Sequence, residues 1–199
     1  MGRPRLHDAR TASTLLDEAE RIVEAEGLGA LTVRRVATAA GTTTRAVYTA
    51  YGSKEALVIA LGARGFDLLR ERLEALPETA DPAADLVEAG VAVFRRFATE
   101  HPTLFRISIQ RALPDPSLFA GYLDAAREAL IVLHRRVGRL ETAGRLGDRS
   151  VHDAAAEFHS LCEGLAAMEL RGMLRAGEEE RLWRDALGAL VRGFALLPT

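Results

Sequence analysis

The sequence predicts an all-α fold of about nine helices, on three observations. Apolar residues recur at three- and four-residue spacing through almost all of the 199-residue chain. No alternating run bounded by turn signals reads as a strand. Glycine or proline punctuates the periodic stretches at Gly27, Gly41, Pro77, Pro102, Pro114, Pro116 and Gly177.

The first helix is expected from about Ser13 to Glu26, with Leu15, Leu16, Ala19, Ile22 and Val23 as its buried stripe and Gly27 as its stop. Leu31 to Leu57 then reads as helix, tight glycine turn, short helix and capped start of a long helix, a helix-turn-helix. Thr32 stands at an N-cap position, Val33, Val36 and Ala37 give a buried stripe, and Gly41 supplies the left-handed residue between the two helices. Helix four starts at Ser53, whose hydroxyl caps it, with Glu55 at the positive end of the dipole; it runs to about Leu76, where Pro77 blocks it.

Asp81-Pro82 opens helix five, which carries Leu86, Val87, Val91, Phe94 and Phe97 inward and ends near Glu100. His101-Pro102 marks the junction to a short sixth helix through about Ala112. After the loop bracketed by Pro114 and Pro116, the residues Leu118, Tyr122, Ala126, Leu130, Leu133 and Val137 trace a long seventh helix. The eighth is expected from about Arg149 to Arg175 and the ninth from Glu178 to Leu196. Glycines inside both, among them Gly164, Gly172, Gly188 and Gly193, cost about 1 kcal/mol each relative to alanine, which close helix approach offsets. Paired with the same two helices of a second copy, they would make a four-helix dimer interface through Leu161, Leu165 and Met168 of the eighth and Leu182, Ala186, Leu190 and Phe194 of the ninth; the alternative is that these faces fill the monomer's own core.

Charge separates the two ends of the chain. Residues 1–54 hold eight Arg or Lys against six Asp or Glu, and the remainder 18 against 22. Between Leu28 and Lys54 every charged residue is a cation (Arg34, Arg35, Arg45 and Lys54), and in a chain of net charge −2 this window points to a polyanion. Two domains are expected, 1–52 as the nucleic-acid end and 53–199 with a separate task, which the family resemblance described below implies to be ligand binding and dimerisation.

Other chemistries find little support. A lone Cys162 forms no intrachain disulfide and falls on an apolar stripe, as a packing residue would; with no leader-like apolar segment at the start, a reducing cytoplasm is expected. No run approaches the roughly 18 apolar residues of a membrane span. His152 and His159 share a helix face but stand about 10 Å apart by helical rise, too far for joint ligation, and no metal or cofactor is expected. No nucleophile, base and orienter can be assembled, so no enzyme is expected.

The segments GRPR, the helix end AEG and LTVRRVATAAGTTTRAVYTAYGSKEAL together resemble the front of TetR-family transcriptional regulators, over about residues 3 to 57. HPTLFRISI and EFHSLCEGLAAMELRG more loosely resemble the family's ligand and dimerisation domain. The resemblance implies a homodimeric repressor that binds a palindromic operator and releases it when a small-molecule effector occupies the rear domain. It places the recognition helix at Thr43 to Ala50. Thr43 would cap it and touch phosphate, Thr44, Arg45 and Ala46 would face base edges, and Tyr48 and Lys54 would reach the backbone. Thr32, Arg34 and Thr49 join this set, and Arg3 and Arg5 form a basic arm suited to a minor groove. Thr49 and Ala50 stand where relatives carry larger polar residues, which throws more weight on Arg34 and the arm.

Arg35 is expected to be solvated or paired within the chain, and Tyr51 to pack under helix one. The aromatics Phe94, Phe97, Phe105, Phe119, Tyr122 and Phe158, with Ile109, Leu130, His134 and Cys162 beside them, either line an effector cavity or complete a core. The alternative is a helical small-molecule sensor that does not read DNA specifically.

Overall fold

The computed structural model describes residues 4–110 and 120–195, and among them every regular element is helical. The helices are α1 (Pro4–Glu26), α2 (Val33–Ala39), α3 (Thr44–Tyr51), α4 (Lys54–Ala75), α5, α6, α7 (Ala120–Thr142), α8 (Val151–Leu170) and α9 (Glu179–Phe194). α5 passes from Pro82–Glu88 through the π-helical Ala89–Arg95 into Arg96–Glu100, and α6 joins Pro102–Phe105 to the π-helical Arg106–Gln110. No helix among the described residues is long and apolar enough to cross a membrane.

Two boundaries differ from expectation. α1 begins at Pro4, not Ser13: proline is pre-set for the first helical position, and no glycine or proline interrupts the chain before Gly27. α8 stops at Leu170, five residues early, because Gly172 takes φ 68° and closes the end, its N–H donating to Glu169 O while that of Met173 reaches Met168 O. Gly172 is therefore a helix stop and not a packing residue.

The helices pack as two compact units. The first comprises the described residues up to Phe66 with those from His101 to Ala125; the second comprises Asp67–Glu100 and the described residues from Ala126 onward. α4 contributes its first part to one unit and its remainder to the other.

In the first unit α1, α2 and α3 pack on one another around Leu15, Ala19, Ile22, Val23, Val36 and Val47. α6 is fastened here at both ends. Glu24 of α1 accepts from the N–H groups of Thr103 (3.3 Å) and Leu104 (2.9 Å), free donors in the first turn of α6. The Ser108 hydroxyl donates to Gly62 O at 2.9 Å, and Tyr122 Oη–H donates to Ser108 O at 2.5 Å. Gly62 allows this approach: a Cβ there would lie 2.7 Å from the Tyr122 ring and 3.3 Å from Ile107.

The second unit gathers α5, α8 and α9 around Phe94, Phe97, Phe158, Trp183, Leu187 and Phe194. Gly90 lets α5 and α9 touch, since a Cβ there would stand 2.3 Å from a Leu187 methyl. Glu169 of α8 ties three helices, accepting from Arg95 Nη2 at 2.9 Å and from Trp183 Nε1 at 2.8 Å.

Candidate nucleic-acid interface

The turn between α2 and α3 is built by local chemistry. Thr32 Oγ1 accepts from Arg35 N–H at 3.2 Å and caps α2; Thr43 Oγ1 accepts from Ala46 N–H at 3.3 Å and caps α3. Between them Gly41 takes φ 62°, the left-handed conformation the sequence assigned to it. α3 thus occupies Thr44–Tyr51 with Thr43 as its cap, one residue beyond the expected span. Ser53 Oγ accepts from Ala56 N–H at 3.0 Å, and Lys54 opens α4.

One face of α3 is anchored and the other is open. Val47 is fully buried, and the half-buried Tyr51 donates its hydroxyl to Ala12 O at 2.7 Å, packing under α1 as expected. Burial is the main reason the Tyr51 phenol sits above its ordinary pKa. The anchoring turns Thr44, Arg45, Tyr48 and Thr49 outward, with Ala46 half-buried at the edge; Tyr48 is 54 % exposed. Thr32, Arg34, Thr43 and Lys54 are also exposed.

The cations on this surface are not equivalent. Arg35 pairs with Glu26, and that hydrogen bond is the first cause of the lowered carboxyl pKa of Glu26. Arg34, Arg45 and Lys54 meet no acid among the described residues and remain available to a polyanion. Arg5 lies in the first turn of α1, not in an extended arm, and Arg3 lies outside the described residues.

The rear residues divide between the units. Phe105, Ile109 and Tyr122 belong to the first, while Phe94, Phe97, Leu130, His134, Phe158 and Cys162 belong to the second; Phe119 lies outside the described residues. Leu130 is 42 % exposed and faces away from the core, a correction to its expected inward position. Two four-residue steps from Tyr122 rotate a side chain by about 80°, and Val132 and Leu133 take the inner face instead. Cys162 is fully buried and burial pushes its thiol pKa up, as suits packing. His159 stands edge-on to Phe94 with ring centroids 5.5 Å apart, and burial pulls its pKa down. His134 and His152 approach to 5.6 Å between centroids, a pairing across α7 and α8 that spacing along the chain does not reveal. No group of three or more ligating side chains suited to a metal occurs among the described residues.

Of the expected dimer residues, Met168 and Leu182 are exposed and Leu161, Ala186 and Leu190 half-buried. Phe194 is fully buried and Leu165 nearly so. These two fill the unit's own core, a correction with a reason on each helix: α9 turns Trp183, Leu187, Val191 and Phe194 inward together, and Leu165 shares the buried face of α8 with Phe158, Cys162 and Ala166.

Residues 15–61 match the family described as bacterial regulatory proteins, tetR family, and residues 87–190 match the tetracyclin repressor-like C-terminal domain. No curated protein matches the chain in sequence. A protein of unknown function from Rhodococcus sp. RHA1 shares the fold with a TM-score of 0.82 at 24% identity, over 94% of this chain and 96% of its own. A tetR-family regulatory protein from Rhodococcus RHA1 aligns at 21% identity and TM-score 0.68, over 95% and 99%. The regulator FadR from Bacillus subtilis, solved with stearoyl-CoA, aligns at 16% identity and TM-score 0.72, over 91% and 98%.

Proposed function

The chain belongs to the TetR family of bacterial regulatory proteins, whose members are non-enzymatic DNA-binding regulators, and on that premise we propose that it is a cytoplasmic, effector-released repressor acting as a homodimer. The observation that carries the reading is the outward face of α3, where Arg45 meets no acid among the described residues and has Thr44, Tyr48 and Thr49 around it. Arg45 suits bidentate contact to guanine O6 and N7, a pair worth about 1 to 3 kcal/mol of discrimination. The threonines and Tyr48 suit phosphate oxygens, which set register without specifying sequence. Two such helices about 34 Å apart enter successive major grooves of a palindromic operator.

The half-open faces of α8 and α9, with Met168, Leu182, Ala186 and Leu190, support the dimer. Effector binding supports release if the effector prefers the conformation that does not fit the operator, a coupling of about 1 to 3 kcal/mol being typical. That the FadR protein was solved with stearoyl-CoA supports effector control. Footprinting the full chain on the DNA upstream of its own gene tests the reading. Two protected half-sites one helical turn apart are expected; protection no better than on unrelated DNA would favour a sensor that does not read sequence.

A further inference from the structure

Arg136 of α7 is the one charged cation among the described residues that is essentially sealed from solvent, at 2 % exposure. Its Nη2 donates to two carbonyls at the end of α4, Leu73 O and Leu76 O, the latter at 2.6 Å. Its Nε and Nη1 are also buried and meet no acceptor among the described residues. Folded proteins seldom leave buried donors unmet, and a buried guanidinium least of all.

The surrounding charges do not serve these donors. Asp85 accepts from Thr79 N–H and Oγ1–H, both at 2.7 Å, and from Arg139 Nη1 at 2.6 Å. Glu78 lies against Arg139 at 3.7 Å and Arg135 at 4.0 Å. Three arginines therefore face two acids, and both acids are engaged elsewhere. On α7 the flanking Val132, Leu133, Val137 and Leu140 are buried and apolar. Desolvation is the first cause of a lowered Arg136 pKa, as expected of a charge short of compensation.

We propose that Arg136 is the recognition group for an anionic effector, an apolar molecule carrying a carboxylate. A guanidinium offers an oxyanion two bidentate edges, Nη1 with Nη2 and Nε with Nη2, because Nη1 lies on the side of Cδ. Either edge includes Nη2. A carboxylate that takes one therefore competes with Leu73 O and Leu76 O and loosens the end of α4. The consequence for DNA rests on the regulator reading; the anion site does not.

Calorimetric titration of the full chain with sodium octanoate and sodium benzoate, against 1-octanol and benzyl alcohol, tests the site. At least one carboxylate should saturate one site per chain and bind at least tenfold tighter than its alcohol. Arg136→Met should weaken it at least tenfold, and so should Arg136→Lys, which keeps a charge and a donor for α4 but has no bidentate edge. Hydrogen exchange of the native chain needs no variant: the segment around Leu73 to Leu76 should exchange faster with the carboxylate bound. No binding by either carboxylate, equal binding of the alcohols, unchanged affinity in a folded variant, or unchanged exchange overturns the proposal. Anisotropy on a labelled upstream duplex separates the two readings. DNA binding without carboxylate binding removes the anion site alone, and carboxylate binding without DNA binding removes the regulator alone.

Discussion

Arg34 and Arg35 are adjacent and identical in type, yet the fold gives them different work. Arg35 turns to Glu26 while Arg34 stays open. The sequence made this division legible, since two consecutive residues after a helix cap cannot both point along one face. Glu26 as the specific partner was not legible, because the 3-10 turn Leu28–Ala30 sets that approach. Arg34→Ala is expected to weaken DNA binding on all sequences and lower the salt slope by about one, while Arg35→Ala leaves both nearly unchanged. Titrating affinity against salt for the two variants checks this; equal losses would contradict the division. Glu24 shows the opposite limit. Pro102 announces a helix start with free donors, but their acceptor lies 79 and 80 residues away in sequence, which no local pattern encodes.

Helix identity was readable from periodicity, and helix ends were readable where a cap or breaker stands. Thr32, Thr43, Ser53 and Asp81 all cap as their side chains allow. The early start of α1 was hidden because residues 5–12 carry no apolar stripe, and the π-helical stretches of α5 and α6 were hidden because one extra residue per turn leaves the apolar pattern nearly intact. Gly62 of α4 is a packing site, because the Tyr122 ring lies where its Cβ would stand. Gly62→Ala should therefore destabilise the chain by about 1 to 3 kcal/mol through overpacking, despite the better helix propensity of alanine. Chemical denaturation checks the sign: a more stable variant would show that the ring moves aside freely.

Across the whole molecule, the sequence divided the chain at residue 52, whereas the compact units divide α4 itself and assign α6 to the first unit. Contacts between segments far apart in sequence set that partition, so local composition could not show it. The same holds for the loop joining α4 to α5, held from α7 through Arg139 and its bonds to Asp85 and Thr79 O. Burial alone would raise the Asp85 pKa; the Thr79 and Arg139 bonds outweigh it and leave it below the usual value. A carboxylate depressed on folding adds stability that is fully present above the unfolded pKa of about 4 and is lost as pH falls through the folded value. Melting temperature should thus drop below about pH 4, and less steeply in Asp85→Asn; parallel acid profiles would contradict this. Met168→Glu with Leu182→Glu should convert a dimer to a helical monomer in sedimentation, while an unchanged mass would place the interface elsewhere.

Whether Arg45 on the open face of α3 reads duplex DNA is decided by anisotropy of the chain on a fluorescent duplex from its own upstream region. Specific binding should fall steeply with salt and lose about 1 to 3 kcal/mol in Arg45→Ala, with discrimination relaxed at one base pair. Affinity that is the same for native and Arg45→Ala protein, or no preference for the upstream duplex at low salt, would contradict that role.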